Sequence, residues 1–170
     1  MPKLYVCPLS RLPDTVAAAE ASHVVTLINV GTAVTRPASV EAANHLFIGV
    51  SDITAPMLDH ILPDRAHVEG FLDFVRAWGR EKPLVIHCYA GISRSTAAAF
   101  IAACALRPER DEAEIAGRLR LASPSATPNR RLIAVADEML GRDGRMVAAA
   151  EAIGRGSDAF EGEPFCLDLD

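Results

Sequence analysis

The sequence has little that would hold the chain at a membrane or on a nucleic acid. Its longest apolar run, residues 96–106, is too short to cross a bilayer. It also lacks a basic excess, because 17 Lys and Arg residues stand against 22 Asp and Glu residues and the net charge is −5. That balance provides no general attraction for nucleic acid or anionic lipid. We expect neither as a partner.

Paired cysteines and metal-ligand clusters are missing as well. No CxxC pair occurs, and a chain of 170 residues does not need disulfides to hold a core. The histidines show no metal-ligand grouping with one another or with cysteine. The first residues show no charged segment followed by an apolar run, so no signal peptide is expected. We therefore predict a cytoplasmic protein with reduced thiols, no metal and no other cofactor.

The chain does have strand and helix patterns in alternation. Short β-branched or apolar runs predict strands at residues 4–6, 24–29, 45–52 and 84–87. Helical patterns lie at residues 14–21, 64–78, 95–106, 111–121, 127–140 and 145–153. Asp14, Asp64 and Thr127 are the predicted caps of three of these helices. The alternation predicts an α/β fold with a central, mostly parallel sheet of four to five strands flanked by helices.

The domain organisation follows from composition. Hydrophobic residues make up 50% of the chain, enough for the core of one domain. We expect a catalytic domain over residues 1–154. The last residues, 155–170, are rich in glycine and acidic side chains, which predicts a flexible acidic tail.

One segment between a predicted strand and a buried helix carries the chemistry. It reads VIHCYAGISRST over residues 85–96, and we call residues 88–94 the cysteine loop. Open α/β sheets bind ligands where strands end, and a helix start presents unpaired N–H groups with a partial positive charge. Backbone amides of the loop are expected to surround a tetrahedral oxyanion such as phosphate. The predicted phosphate-binding residues are Tyr89, Ala90, Gly91, Ile92, Ser93 and Arg94.

Each remaining residue of the segment has an expected part in that site. Gly91 permits the tight path, and the planar guanidinium of Arg94 matches phosphate oxygens. The same amides and helix start would favour a thiolate at Cys88, which is then a nucleophile. The Ser95 hydroxyl is expected to reach back to the sulfur. His87 is expected to bond to nearby backbone and hold the loop rigid.

The pattern from His87 to Ser95, HCxxGxSRS, resembles the signature of the cysteine-dependent protein tyrosine phosphatase superfamily. Length and spacing over residues 4–140 are similar to its small dual-specificity branch. The whole chain, through residues 141–156, also resembles a group of bacterial proteins assigned as tyrosine phosphatases. The resemblance implies a phosphatase-like fold and hydrolysis through a phosphocysteine. It also implies that Asn129, in TPNRRL, supports the active site, although a simple helix start explains Asn129 equally well.

The resemblance further implies a general acid on a separate loop upstream of the cysteine. Asp52 ends a predicted strand, and neighbouring parallel strands end on the same side of a sheet, so Asp52 is expected to face the cysteine loop. Asp59 is a rival because it lies in the irregular stretch of residues 53–63. Asp64 is better explained as a helix cap.

The predicted function is hydrolysis of phosphotyrosine in proteins, with phosphoserine and phosphothreonine as further substrates. A small phosphomonoester is a second kind of partner. Sulfur transfer, arsenate reduction and phosphate recognition without turnover remain open from the sequence. Cys7 is kept as a candidate redox partner of Cys88. The variable loop positions, Tyr89, Ala90 and Ile92, are neutral, which argues against polyphosphorylated inositol headgroups.

Overall fold

The computed structural model describes residues 3–170, and its strands form one five-stranded sheet. The strands are β1 (Lys3–Pro8), β2 (His23–Ile28), β3 (His45–Gly49), β4 (Leu84–Cys88) and β5 (Phe165–Asp168). They lie side by side in the order β3-β2-β4-β1-β5. The first four are parallel, whereas β5 runs antiparallel to β1. The predicted mostly parallel α/β sheet is confirmed, and β5 makes it a mixed one.

Six α-helices within residues 3–170 cover the two faces of this sheet unequally. They are α1 (Leu12–Ala19), α2 (Arg65–Ala77), α3 (Arg94–Leu106), α4 (Glu112–Ala122), α5 (Arg130–Met139) and α6 (Arg145–Ile153). The larger core lies between the sheet and helices α2 to α6, and the smaller one lies under α1. Alternate residues of β4 serve both cores, since Leu84 and Ile86 face the larger and Val85 the smaller. This central position fixes where β4 ends, and the cysteine loop begins there.

Helix α3 is buried along nearly its whole length. Its middle is mostly alanine, and these small side chains let the helix lie close against the sheet. The apolar stripe predicted on α2, including Trp78 just after the helix, is buried as expected. Packing therefore holds both ends of the cysteine loop, one in a central strand and one in a buried helix.

Two of the three predicted helix caps are wrong. Asp64 does cap α2, where its carboxylate accepts hydrogen bonds from two backbone N–H groups of the first turn. Asp14 instead lies within the first turn of α1, which begins at Leu12 because Pro13 suits the start of a helix.

The third predicted cap was Thr127, and the residue that caps α5 is Asn129. The Asn129 side chain accepts the N–H of Leu132 at 3.0 Å. The Thr127 hydroxyl is engaged elsewhere, since it accepts the N–H of Gly156 at 3.0 Å. The helix start is therefore shifted by two residues. Because Asn129 caps the helix with its side-chain oxygen, its side-chain NH₂ group remains free for another contact.

The expectation of a flexible tail is wrong for the last residues. β5 pairs with β1 from Phe165 opposite Val6 to Asp168 opposite Lys3. Leu167 and Leu169 are buried in the larger core. Glycine and acidic residues dominated the composition of the tail and concealed the alternation of Phe165, Leu167 and Leu169, which is the signal of an edge strand.

Replacement of Leu167 by alanine tests this ordered edge strand. The side chain is 3% exposed, so its truncation removes buried apolar contacts. We expect Leu167→Ala to lower the free energy of unfolding by about 2 kcal/mol or more in urea titrations. Phe160→Ala is the matched control, because Phe160 is 90% exposed and its loss should change stability by less than about 0.5 kcal/mol. Equal stabilities of the two variants would contradict an ordered β5.

Candidate active site

The cysteine loop turns sharply from the end of β4 into the start of α3. Gly91 adopts a φ of +69°, which favours glycine. A Cβ atom at this position would lie 2.7 Å from the Pro8 nitrogen and 2.8 Å from the Cys7 carbonyl carbon. Both the backbone angle and the close approach of β1 therefore require glycine here.

The carbonyl groups of the loop point away from its centre. Four of them each accept a hydrogen bond from a backbone N–H in another part of the chain. Leu9 donates to Tyr89 at 3.1 Å, Gly162 to Ala90 at 2.8 Å, Thr127 to Ile92 at 2.9 Å and Asn129 to Ser93 at 3.1 Å. A trans peptide directs its N–H opposite to its C=O. The N–H groups of the following residues, Ala90, Gly91, Ser93 and Arg94, are therefore directed inward. The loop is a ring of donors suited to a tetrahedral oxyanion.

Cys88 lies at the base of this ring. Its side chain is buried, and its sulfur accepts the N–H of Gly91 at 3.3 Å. The Ser95 hydroxyl lies 3.1 Å from the sulfur, as the sequence analysis expected. Both contacts suit a sulfur that carries negative charge, because the Gly91 N–H donates to it and a hydroxyl is able to donate to a thiolate.

Arg94 begins α3, and its guanidinium is buried with one side engaged. Nη1 donates to the Asn29 side-chain oxygen at 2.7 Å and to the Val50 carbonyl at 2.9 Å. Nε has no hydrogen-bond partner, the one such buried side-chain nitrogen or oxygen in residues 3–170. An unpaired buried donor is costly, and an oxyanion in the loop would satisfy it. The donor set therefore fits a phosphate group.

Asp52 follows the end of β3 and lies against Ser93, next to Arg94 in the loop. Its Oδ1 accepts the Ser93 hydroxyl at 2.7 Å and the Asn129 amide at 2.8 Å. The same amide also donates to the Ile53 carbonyl at 3.2 Å. One asparagine thus caps α5 with its oxygen and holds the candidate acid with its nitrogen. The structure brings Asp52 and Asn129 to the loop.

The two other candidate acids, Asp59 and Asp64, are not hydrogen-bonded to the cysteine loop within residues 3–170. Asp64 is occupied as the cap of α2. Asp59 is an exposed residue with a φ of 59°, and no hydrogen bond joins it to the cysteine loop in the described chain. The geometry favours Asp52 among the three candidates.

His87 is fully buried behind the loop. Its Nδ1 lies 3.2 Å from the Cys88 carbonyl, which only accepts, so Nδ1 carries the hydrogen. Its Nε2 then accepts from the Thr26 hydroxyl at 2.7 Å, and His45 Nε2 donates to that hydroxyl oxygen at 2.8 Å. Burial lowers the pKa of His87 to about 4, so the ring is neutral at physiological pH.

Cys7 is not placed to pair with Cys88. It lies opposite His87 in the register of β1 and β4, while Cys88 lies opposite Pro8. Neighbouring residues of a strand face opposite sides, and Cys7 packs in the smaller core under α1. Burial raises the pKa of its thiol to about 12. A redox role for Cys7 with Cys88 is not favoured by this placement.

Two polar side chains that support the site were missed in the sequence. Asn29 holds Arg94, and Thr26 links His87 to His45. Asn29 stands at the carboxyl end of a parallel strand, where ligands bind in such sheets, so that rule would have identified it. Thr26 is an interior residue of β2 and carries no such signal.

Two further properties concern metal ions and membranes. Residues 3–170 contain no group of three or more His, Cys, Asp or Glu side chains arranged for a metal ion. Within the same residues, no helix has the length and apolar character that a membrane crossing requires.

Exposed apolar side chains lie in the cysteine loop and in the stretch after Asp52, and we call this set of side chains the rim. Met57, Leu58 and Ile61 lie in the stretch of residues 53–63, and Tyr89 of the loop is 58% exposed.

Solved structures share this fold. The structure is similar to that of DUSP15, with a TM-score of 0.66 and 16% identity over 90% of this chain and 91% of that one. Human DUSP28 gives 0.62 and 19% over 82% and 92% of the two chains. The Yvh1 phosphatase domain from Chaetomium thermophilum gives 0.63 and 17% over 84% and 93%. At these identities the likeness establishes the fold, not the chemistry.

The fold and the sequence family together identify the class of protein. The chain is a cysteine-dependent protein phosphatase of the small dual-specificity type. It belongs to the Tc-R-P family, described as the DSP-PTPase phosphatase of polymorphic toxin systems, whose model matches residues 11–109. No curated protein matches the chain. The superfamily and the phosphatase function predicted from the sequence are confirmed.

The buried neutral His87 predicts how stability depends on pH. Its pKa is about 4 in the folded chain and 6.5 ordinarily, so the unfolded state binds the extra proton between these values. Stability should therefore fall as the pH drops from 6.5 to 4, by roughly 3 kcal/mol in full. We expect His87→Gln to lose less stability over this window in urea titrations. The exposed His60→Gln should follow the wild type, and an unchanged slope in His87→Gln would contradict the burial of a neutral ring.

Proposed function

We propose that the chain hydrolyses phosphomonoesters of proteins without a metal, with Cys88 as nucleophile and Asp52 as general acid. The observation that carries the proposal is the free Nε of the buried Arg94 guanidinium, at the end of a loop whose N–H groups point inward. A phosphate in the loop would accept from these donors. Its phosphorus would then face the Cys88 sulfur at the base.

The first chemical step transfers the phosphoryl group to sulfur. The thiolate of Cys88 attacks phosphorus, the S–P bond forms, and the P–O bond to the leaving group breaks. The loop amides and Arg94 hold the equatorial oxygens, whose charge they stabilise in the transition state. Asp52 gives its proton to the leaving oxygen, so that an alcohol or phenol departs uncharged.

The second step releases phosphate. Asp52, now a carboxylate, takes a proton from water as the water oxygen attacks phosphorus. The S–P bond breaks, and the Ser95 hydroxyl, 3.1 Å from the sulfur, donates to the returning thiolate. Asn129 is the proposed support of this acid and base, and His87 the proposed support of the loop.

The contacts of Asp52 support its assignment. The hydrogen bonds from Ser93 and Asn129 both end on Oδ1. No hydrogen bond within residues 3–170 ends on Oδ2. One oxygen therefore orients the carboxyl group while the other stays available for the proton that moves during the reaction.

The rim supports a phosphoprotein substrate. The loop positions Tyr89, Ala90 and Ile92 carry no charge, and the stretch of residues 53–63 exposes several apolar side chains. We propose phosphotyrosine as the main substrate, with phosphoserine and phosphothreonine as further ones.

A cytoplasmic location stays a prediction from the sequence, and a bacterial source stays an expectation from the resemblance. Arsenate reduction at the same cysteine is less well supported, because it needs a resolving thiol near Cys88 and Cys7 faces the other side of the sheet.

Replacement of the nucleophile tests the first step. Cys88→Ser should lose at least roughly 10⁴-fold in kcat with p-nitrophenyl phosphate, because the hydroxyl stays protonated at neutral pH. The variant should still bind inorganic phosphate in calorimetry, since the loop donors remain. Cys166→Ser is the matched control and should turn over like the wild type. Turnover by Cys88→Ser at the wild-type rate would exclude the phosphocysteine.

Replacement of the acid tests proton donation. Asp52→Asn should lower kcat for phosphotyrosine by roughly 10²-fold or more with little change in KM. The loss should be smaller for p-nitrophenyl phosphate, because p-nitrophenolate is a better leaving group and depends less on the acid. Asp59→Asn is the matched control. If Asp59→Asn shows the loss and Asp52→Asn does not, the acid lies in the stretch of residues 53–63.

A further inference from the structure

The carboxyl-terminal residues contact the cysteine loop directly. The N–H of Gly162 donates to the Ala90 carbonyl at 2.8 Å. Gly162 is buried and lies outside residues 11–109, which the family model matches. We call residues 156–164 the C-terminal brace.

The brace leaves no space between itself and the loop. A Cβ atom at Gly162 would lie 2.8 Å from the Gly91 carbonyl oxygen. On the other side, a Cβ atom at Gly91 would lie 2.7 Å from the Pro8 nitrogen. The loop is therefore enclosed between the backbone of β1 and the backbone of the brace, with a glycine at each contact.

The brace is fixed on both sides of Gly162. Before it, the N–H of Ser157 donates to the Pro124 carbonyl at 2.9 Å. Next to it, the Ser10 hydroxyl lies 3.0 and 2.9 Å from the two carboxylate oxygens of Glu161. After it, β5 pairs with β1. The position of Gly162 is thus set by the sheet and by the α4–α5 connection.

One peptide group connects the brace to the nucleophile. The C=O of the Ala90–Gly91 peptide accepts from Gly162, and the N–H of the same peptide donates to the Cys88 sulfur at 3.3 Å. A donor on the carbonyl fixes the orientation of the peptide and polarises its N–H. Both effects favour a negatively charged sulfur.

We propose that the C-terminal brace is part of the catalytic unit and that Gly162 is a positioning residue, acting on Cys88 through the Ala90–Gly91 peptide. The inference rests on the proposed function, since it assumes that the Cys88 thiolate is the nucleophile. In this proposal, residues that the composition assigned to a flexible tail have a function in the active site. Without this contact the loop would keep all its residues, but the Gly91 N–H would no longer be directed at the Cys88 sulfur and at a bound phosphate.

The principal variant is Gly162→Ala in the full chain, with two controls. The added methyl must displace the Gly91 carbonyl, while Gly117→Ala adds a methyl where nothing lies within 4 Å. Ile115→Val, in the core at α4, controls for lost stability alone. We expect Gly162→Ala to lower kcat/KM for p-nitrophenyl phosphate at least about 10-fold, because small misplacements of catalytic groups are costly. The inhibition constant of inorganic phosphate should rise in parallel.

A second readout does not depend on turnover. Alkylation of Cys88 by iodoacetate at pH 6.5, followed by mass spectrometry of the peptides, reports the fraction of reactive thiolate. Gly162→Ala should slow this alkylation several-fold at a temperature well below its melting point, and both controls should match the wild type. Ser10→Ala releases the exposed anchor without crowding the core, and it should shift both readouts in the same direction to a smaller extent.

The outcomes separate the inference from the proposed function. An active wild type, together with Gly162→Ala and Ser10→Ala variants that match Gly117→Ala in both readouts, would overturn the brace and leave the phosphatase mechanism intact. A wild type without turnover, whose Cys88 alkylates no faster than Cys166, would overturn the mechanism itself. If Gly162→Ala does not fold, an unchanged Ser10→Ala overturns the inference.

Discussion

The site depends on the direction of the peptide groups in the cysteine loop. A ring of inward N–H groups requires that the corresponding C=O groups point outward, and each buried C=O needs a donor. The fold provides these donors as single N–H groups from Leu9, Gly162, Thr127 and Asn129. They come from segments far apart in the chain, so the loop acquires its shape only when β1, the α4–α5 connection and the C-terminal brace are all in place. Catalytic geometry and folding are thereby coupled.

The buried cation sets a second constraint. Burial of a guanidinium is costly unless its donors are satisfied. Asn29 and the Val50 carbonyl satisfy Nη1, and they hold Arg94 in a fixed orientation before any substrate arrives. The free Nε is then a donor already desolvated and oriented. Such preorganisation lets a phosphate gain hydrogen bonds without the cost of ordering a long side chain.

Asp52, the proposed acid, is connected to the same framework through one asparagine. Asn129 caps α5 with its carbonyl oxygen and holds Asp52 with its amide nitrogen, while its backbone N–H binds Ser93. A cap is usually a matter of local helix stability. Here it also links the helical half of the chain to Ser93 of the cysteine loop and to Asp52. The backbones of β1 and of the brace enclose the loop as well.

The sequence by itself determined the local features: the β-strand patterns, the buried helix α3, the glycine at position 91 and the pairing of Cys88 with Arg94 in one short loop. These depend on residues close together in the chain, where spacing and residue type carry the information. Only the tertiary structure decided that Asn129 rather than Thr127 caps α5, that Asn29 holds the arginine, and that the acidic tail ends in a sheet strand and reaches the loop. The reason is physical: a hydrogen bond between residues far apart in the chain depends on how the layers pack, and no local pattern records it.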